Sequence, residues 1–311
     1  MAIEEAASAP TAEPGSETIV ASGSLQLWTQ QFGDPVHPTV LLIMGTSTQG
    51  IGWPDELVTR LVNGGRHVIR FDHRDTGRSD GVDFATHPYA LADLAADSLA
   101  VLDGHGVAAA HIVGASLGGA IGQWLAVHHP ARIRTLTTMM TSPMGNNPGP
   151  AWLRAMSGQP ADPDELPPPS ARFFDFLKTS AGRPRTTREE HIEAGVQTWR
   201  MLNGDVLPFA EQAVRWFVEI SYDRARDPAA ANHDLAGRQM TADRLASLSS
   251  ITAPTLVVHG TADPLFPLAH GEALAGQIPG ARLQVVTGMG HSLWSPGLPQ
   301  QIADLILTHT A

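Results

Sequence analysis

A serine flanked by small residues is the first candidate for chemistry in this chain. Residues 114–118 read Gly-Ala-Ser-Leu-Gly, which is the pattern G-x-S-x-G. An apolar run typical of a buried strand precedes it, and a helical pattern rich in small residues follows it. Small residues allow a strand and a helix to cross closely at a strained turn. The pattern therefore predicts that Ser116 lies at the end of a strand, with its hydroxyl placed to act as a nucleophile.

An aspartate and a histidine that could activate this serine each follow a predicted strand. Asp263 comes just after the apolar run at 254–260, and His291 follows the run at 281–286 and a glycine-rich turn. Because open sheets place their ligands at the carboxyl ends of parallel strands, the three side chains are expected to lie together. His291 would then take the serine proton, and Asp263 would orient its imidazole ring.

Other polar residues fit these two roles less well. His259 lies inside a predicted strand, and His270 lies in the helix after it. His73 ends an earlier strand and could line the site, but it precedes the serine in the chain. The strand after the serine helix ends at residues 140–143, which contain no acid. We therefore take Asp263 as the acid.

The negative charge that develops during attack on a carbonyl carbon needs hydrogen-bond donors already in place. The backbone N–H of Leu117, at the start of the helix, is one expected donor. The second is the N–H of Thr46, in the loop after the central strand, where Gly45 allows a tight turn. The Thr46 hydroxyl either adds a third hydrogen bond or only stabilises the turn.

Composition narrows the class of protein. The chain has 311 residues, 42% of them hydrophobic, which suffices for one large domain with an insertion. A net charge of −11 disfavours nucleic acid and anionic membranes as partners. The absence of cysteine excludes disulfides, thiolate metal sites and a cysteine nucleophile. We see no signal peptide and no run of transmembrane length, so the expected location is the cytoplasm, and no metal or organic cofactor is implied.

Eight predicted strands alternate with helices along most of the chain. This rhythm predicts an α/β fold with a mostly parallel eight-stranded sheet flanked by helices. The rhythm stops at 144–249, where proline-rich joints separate three helical segments, near 171–180, 187–201 and 208–222. The joints contain Pro143, Pro148 and Pro150, and then Pro167 to Pro169. We expect 144–249 to be a helical cap inserted into a core of 17–143 and 250–311. Residues 1–16 are expected to be a flexible extension, and the polar stretch 158–170 within the cap a mobile loop.

Aromatic residues are concentrated in the predicted cap, which holds nine of the eighteen in the chain. They can form the cap's own core or line an apolar pocket over the serine, and the sequence leaves both open. The residues we expect to contact a substrate are Gly45, Met140, Trp152, Phe176, Trp199, Trp216 and Trp294.

Three further motifs give the chain a family resemblance. Residues 52–56 (Gly-Trp-Pro-Asp-Glu), 71–79 (Phe-Asp-His-Arg-Asp-Thr-Gly-Arg-Ser) and 288–291 (Gly-Met-Gly-His) resemble those of serine α/β-hydrolases, and the first and Asp75 narrow this to the aclacinomycin methylesterase group. That resemblance implies a serine carboxylesterase that removes a carboxylic methyl ester from a bulky aromatic or polyketide acid through an acyl-enzyme. The chain departs from the group at Thr46, where we expect glycine, and at the two neighbours of Ser116.

Several functions remain open on the same residues. Cofactor-free perhydrolases of the haloperoxidase type, lactonases and carbon–carbon bond hydrolases use the same triad. A non-catalytic binding protein with this fold would keep the triad idle. Epoxide hydrolases and dehalogenases are disfavoured because they carry aspartate at the position of Ser116. The expected partner is a small-molecule ester, and the oligomeric state is open, with a homodimer as one alternative.

Overall fold

The computed structural model describes most of the chain, namely residues 15–146, 148–180, 185–227, 233 and 248–311. The predicted extension at 1–16 therefore lies almost wholly outside the described residues. The first strand begins at Ser16, one residue before the predicted core, because Ser16 pairs with Gln31 of the next strand.

One sheet of eight strands forms the centre of the described molecule. The strands lie in the order β1-β2-β4-β3-β5-β6-β7-β8. The contacts of β2 with β1 and β4 are antiparallel, and all the others are parallel, which confirms the predicted mostly parallel sheet. The strands are β1 (Ser16–Ser22), β2 (Leu25–Phe32), β3 (Thr39–Ile43), β4 (His67–Phe71), β5 (Ala110–Ala115), β6 (Ile133–Met139), β7 (Thr255–Gly260) and β8 (Arg282–Val286).

Helices cover both faces of this sheet. In the described ranges they are α1 (Asp55–Asn63), α2 (Leu91–Gly104), α3 (Leu117–His128), α4 (Gly149–Met156), α5 (Ala171–Ser180), α6 (Arg188–Asn203), α7 (Glu211–Arg224), α8 (Ala269–Gln277) and α9 (Leu298–His309). Short 3₁₀ turns lie at Gly50–Gly52 and Pro130–Arg132. Within these same ranges, no helix is both long and apolar enough to cross a membrane.

Alternation along the strands divides the core into two apolar layers. Leu41 and Ile43 of β3 belong to the layer that α2, α3 and α8 complete. Val40 and Leu42 belong to the opposite layer, with α1 and α9. All five residues of β3 are buried, as a parallel strand covered on both faces requires. These two layers hold the strand ends, and hence the loops that follow them, in fixed relative positions.

Four helices, α4 to α7, follow one another between β6 and β7, and we call them the inserted helices. Three were expected from the sequence. The first, α4, was not, because residues 148–150 were interpreted as a proline-rich joint. Proline is tolerated in the first turn of a helix, where its missing N–H would have no partner, and Pro150 lies there.

The stretch predicted to be a mobile loop, 158–170, forms neither helix nor strand. It is attached to the core at two points: the Ser170 N–H donates to the Pro264 carbonyl, and His270 Nε2 lies 2.9 Å from the Pro167 carbonyl oxygen. Its mobility and the cap boundaries at 144 and 249 stay predictions.

Candidate active site

Ser116 lies between β5 and α3 in a backbone conformation that few side chains adopt. Its φ is +53° and its ψ is −117°. The Ser116 N–H donates to the Met139 carbonyl oxygen at 3.0 Å, which ties the turn to the neighbouring strand β6. A Cβ atom on Gly114 would collide with the carbonyl oxygen of Gly118, and one on Gly118 with that of Ile43. Both glycines of the motif are therefore required by close backbone contacts.

Asp263 and His291 form a buried hydrogen-bonded pair beyond the ends of β7 and β8. Asp263 Oδ2 lies 2.8 Å from His291 Nδ1. The other carboxylate oxygen accepts the N–H groups of Leu265 and Phe266 at 2.9 and 2.8 Å. Burial raises the pKa of Asp263, but the charge and hydrogen bond of His291 oppose this, and the net pKa lies below the ordinary value. The carboxylate is thus ionised and accepts the Nδ1–H proton, which leaves His291 Nε2 as the basic nitrogen.

The three residues lie beyond the carboxyl ends of β5, β7 and β8, at one edge of the sheet. The hydrogen bonds of the described residues include none between the Ser116 hydroxyl and His291. Hydrogen bonds of this kind are often long without substrate and shorten in its complex.

The loop after β3 contacts the serine directly. A Cβ on Gly45 would lie 3.1 Å from the Ser116 Cβ and 3.7 Å from its Oγ. Among the described residues, neither the N–H of Thr46 nor that of Leu117 donates to a protein acceptor. Two amides without a protein acceptor beside Ser116 are what a developing oxyanion needs.

Two histidines hold this loop: His73, which the sequence places where it could line the site, and His233, which sequence reasoning did not consider. His73 Nε2 donates to the Met44 carbonyl oxygen at 2.9 Å, and the Ser47 N–H donates to His233 Nδ1 at 2.9 Å. His73 is completely buried, which lowers its pKa to about 3 and keeps it neutral. No local spacing could have revealed His233, because it is 186 positions from Ser47 in the chain.

The predicted substrate-contacting aromatics divide into three groups. Trp294, three residues after His291, stacks on Phe217 with ring centres 5.1 Å apart, and Trp199 lies 5.7 Å from the same phenylalanine. Trp152 instead packs edge to face on Phe173 and Phe174. The others are Phe176, which is half-buried, and Trp216, which is 55% exposed on α7.

Only the first group therefore lies close to His291, because it contains Trp294. Gly45 and Met140 are both buried near the serine turn: Gly45 touches Ser116, and Met140 follows β6 with a φ of +44°.

No group of histidine and acidic side chains within the described ranges could hold a metal ion.

Comparison with known proteins gives a consistent picture. The family model described as alpha/beta hydrolase fold matches residues 38–294. The rhodomycin D methylesterases DnrP of Streptomyces peucetius and DauP of Streptomyces sp. (strain C5) are each 40% identical over 294 residues, which is 94% of this chain and 97% of theirs. The crystal structure of a hydrolase from Pseudomonas aeruginosa PA01 superposes with a TM-score of 0.67 at 26% identity, covering 95% of this chain and 98% of that one.

Proposed function

Because this chain belongs to the alpha/beta hydrolase fold family, we propose that it is a serine esterase with Ser116 as nucleophile, His291 as base and Asp263 as the residue that orients the base. The observation that carries the proposal is the 2.8 Å Asp263–His291 hydrogen bond, buried at the sheet edge where Ser116 stands on its strained turn. The resemblance inferred from the sequence motifs is confirmed at the level of the family.

The reaction proceeds in two halves. His291 Nε2 removes the proton as Ser116 Oγ attacks the ester carbonyl carbon. The tetrahedral intermediate collapses, the alcohol leaves with the proton from His291, and an acyl-enzyme remains. Water, deprotonated by His291, then attacks the acyl carbon and releases the carboxylic acid and the serine. Throughout, Asp263 stabilises the imidazolium that forms.

The oxyanion of each tetrahedral intermediate is proposed to accept hydrogen bonds from the N–H groups of Thr46 and Leu117. Both amides lack a protein acceptor within the described residues, and the Gly45 backbone is in contact with the serine. Loss of one such donor typically lowers the rate about 10²- to 10³-fold.

We propose a carboxylic methyl ester of a bulky aromatic acid as the substrate. The 40% identity to two rhodomycin D methylesterases over nearly the whole chain supports it. The cluster of Trp294, Phe217 and Trp199 beside the histidine loop supplies the apolar, flat surface that a polycyclic ring prefers. We propose that the inserted helices, which carry Trp199 and Phe217, form a cap over the polycyclic ring of the bound substrate. The cytoplasmic location and the absence of nucleic-acid and membrane partners stay predictions, and the oligomeric state stays open.

The test is mass spectrometry of a tetracyclic aromatic methyl ester incubated with wild type, Ser116→Ala and Ser142→Ala. Ser142 is a matched control, because it also follows a strand but its hydroxyl pairs with His270. Wild type and Ser142→Ala should form the free acid with loss of methanol, and Ser116→Ala should not. Acid formation at the wild-type rate by Ser116→Ala would contradict the mechanism.

The substrate is tested separately from the mechanism. Wild type is compared on the tetracyclic ester, on methyl acetate, on a simple lactone and on peroxide with acetate. A higher kcat/KM on the tetracyclic ester supports the proposed substrate. Faster turnover of the small ester, the lactone or the peracid reaction, still abolished in Ser116→Ala, would contradict the substrate and leave the serine mechanism intact.

A further inference from the structure

The loop that carries Thr46 makes a tight turn with an unusual residue in it. The Thr48 N–H donates to the Gly45 carbonyl oxygen at 3.2 Å, so residues 45–48 form a β-turn. Ser47, the third residue of this turn, has a φ of +53°. That is the pattern of a type II turn, in which glycine usually occupies this position. A serine there indicates that something outside the turn holds the conformation in place.

Both polar groups of the central peptide of this turn are hydrogen-bonded. The carbonyl oxygen of Thr46 accepts the Thr48 hydroxyl at 3.1 Å, and the N–H of Ser47 donates to His233 Nδ1 at 2.9 Å. Type I and type II turns differ by the flip of this one peptide. The contact with His233 therefore selects between the two turn conformations of the loop.

His233 is itself held in the orientation that this task requires. It lies in the chain between α7 and the 3₁₀ turn at 248–250, and it is 2% exposed. Its Nε2 lies 2.8 Å from the Arg74 carbonyl oxygen, which can only accept, so the proton is on Nε2 and Nδ1 accepts the Ser47 N–H. Its ring packs edge to face on His73 and Tyr89, with centroids 5.5 and 6.3 Å apart.

We propose that His233 is a positioning residue for the oxyanion loop. It fixes the Thr46–Ser47 peptide, and thereby the direction of the neighbouring Thr46 N–H beside Ser116. His73 supports the same loop two peptides earlier, at the Met44 carbonyl oxygen. The inference rests on the proposed role of the Thr46 amide in ester hydrolysis. It adds a residue from the inserted part of the chain to the machinery that stabilises the transition state.

The test compares two substitutions that separate the two hydrogen bonds of His233. The Asn side chain places an acceptor where Nδ1 stands, whereas the Gln side chain reaches the position of Nε2. His233→Asn keeps an acceptor for Ser47 and is expected to retain kcat within about threefold of wild type. His233→Gln and His233→Leu lose that acceptor, and their kcat should fall about ten- to a hundredfold with little change in KM, because the effect is on the transition state.

His67→Leu is the matched control for the loss of a buried histidine. His67 is 1% exposed and also makes two hydrogen bonds, to Thr39 Oγ1 at 3.1 Å and Gln31 Oε1 at 3.0 Å. It lies at the opposite end of β4 from the site. This variant should lower the melting temperature but leave kcat per folded molecule unchanged.

The outcomes separate this inference from the proposed function. If Ser116→Ala is inactive but His233→Leu has wild-type kcat, the positioning role is wrong and the esterase mechanism stands. If His233→Asn and His233→Leu lose kcat equally, the acceptor is not what matters, and the inference is also wrong. If Ser116→Ala remains active, the proposed function fails whatever the histidine variants do.

Discussion

The backbone N–H of His291 donates a 2.7 Å hydrogen bond to the carbonyl oxygen of Leu202, the penultimate residue of α6. The last carbonyls of a helix have no partner within it, so they can bind groups outside. Next to this contact, the buried Asn203 side chain accepts the Ser295 hydroxyl at 3.0 Å and donates to the Leu207 carbonyl oxygen at 3.1 Å. The end of α6 is therefore part of the frame that positions the proposed base.

Gly290→Ala should disrupt this frame. A Cβ on Gly290 would collide with the backbone of Asn203 and with the Leu202 carbonyl oxygen, so the histidine loop would have to move away from α6. We expect kcat/KM for an ester to fall at least about tenfold, because small displacements of catalytic groups are costly. We also expect a lower melting temperature, since the contact is between two backbones.

Gly276→Ala is the control for that substitution. Gly276 lies in α8, and a Cβ there would meet open space. The change should leave activity unchanged and stabilise the chain by up to about 1 kcal/mol, because alanine loses less backbone entropy in a helix. Wild-type kcat/KM in Gly290→Ala would show that α6 does not position His291.

Asp263→Asn tests how the carboxylate acts. The oxygen that accepts the Leu265 and Phe266 amides would keep these bonds, which turns the new amide NH₂ toward His291 Nδ1. The histidine would then hold its proton on Nε2 and could not accept the serine proton. We expect kcat to fall about 10⁴-fold with the fold intact, as measured by steady-state kinetics and circular dichroism.

Asp304→Asn is the matched control. Asp304 lies on α9, is half exposed and pairs with Arg60 of α1. Its activity should equal that of wild type. A loss of less than about tenfold in Asp263→Asn would mean that another group orients the base.

Local patterns sufficed for predicting most of the fold. Ser116, Asp263 and His291 each follow an apolar segment that the sequence predicts to be a strand. The structure has the strands β5, β7 and β8 at these segments. A buried parallel strand needs a continuous apolar run, and a sharp strand-to-helix turn needs small residues, so both requirements are present in the sequence.

The contacts that orient the site could not be predicted in this way. Leu202 acts through a carbonyl oxygen that every residue has, so its type carries no signal. His233 meets Ser47 and Arg74 only after the chain has folded. The aromatics of the inserted helices illustrate the same limit. The sequence did not distinguish Trp152 from Trp199 as substrate contacts. In the structure only Trp199 packs against Phe217, which stacks on Trp294 near His291, whereas Trp152 packs against Phe173.

A buried ion pair links α7 to the core and should be important for stability. Arg224 Nη1 lies 2.8 Å from Asp72 Oδ2, with side chains 7% and 0% exposed, and the guanidinium stacks over Trp28 at 4.3 Å. Arg224→Met would leave the Asp72 carboxylate buried without its cation. The free energy of unfolding should fall by about 3–5 kcal/mol, measured by urea denaturation.

Arg188→Met provides the comparison, because Arg188 forms an ion pair between α6 and α7. Arg188 pairs with Asp223 at 2.7 Å, but both side chains are about half exposed. Because solvent screens an exposed pair, loss of Arg188 should lower the free energy of unfolding much less than loss of Arg224. Equal losses in the two variants would show that burial of the Arg224–Asp72 pair has no special effect.

Acid should destabilise the protein through His73. Burial lowers the pKa of this histidine to about 3 in the folded chain, whereas an unfolded histidine titrates near 6.5. Between these values the unfolded chain binds a proton that the folded chain does not. The stabilising contribution is therefore complete above about pH 6.5 and is lost as the pH falls toward 3, at about 1.4 kcal/mol per pH unit.

His73→Gln isolates this effect, because a glutamine amide can still donate to the Met44 carbonyl oxygen but does not titrate. On going from pH 7 to pH 5, wild type should lose about 2 kcal/mol more unfolding free energy than His73→Gln, as urea titrations at the two pH values would measure. Other histidines are common to both proteins and cancel in the comparison. Identical losses in wild type and His73→Gln would mean that the folded protein accepts a proton at His73 near neutral pH, which its complete burial opposes.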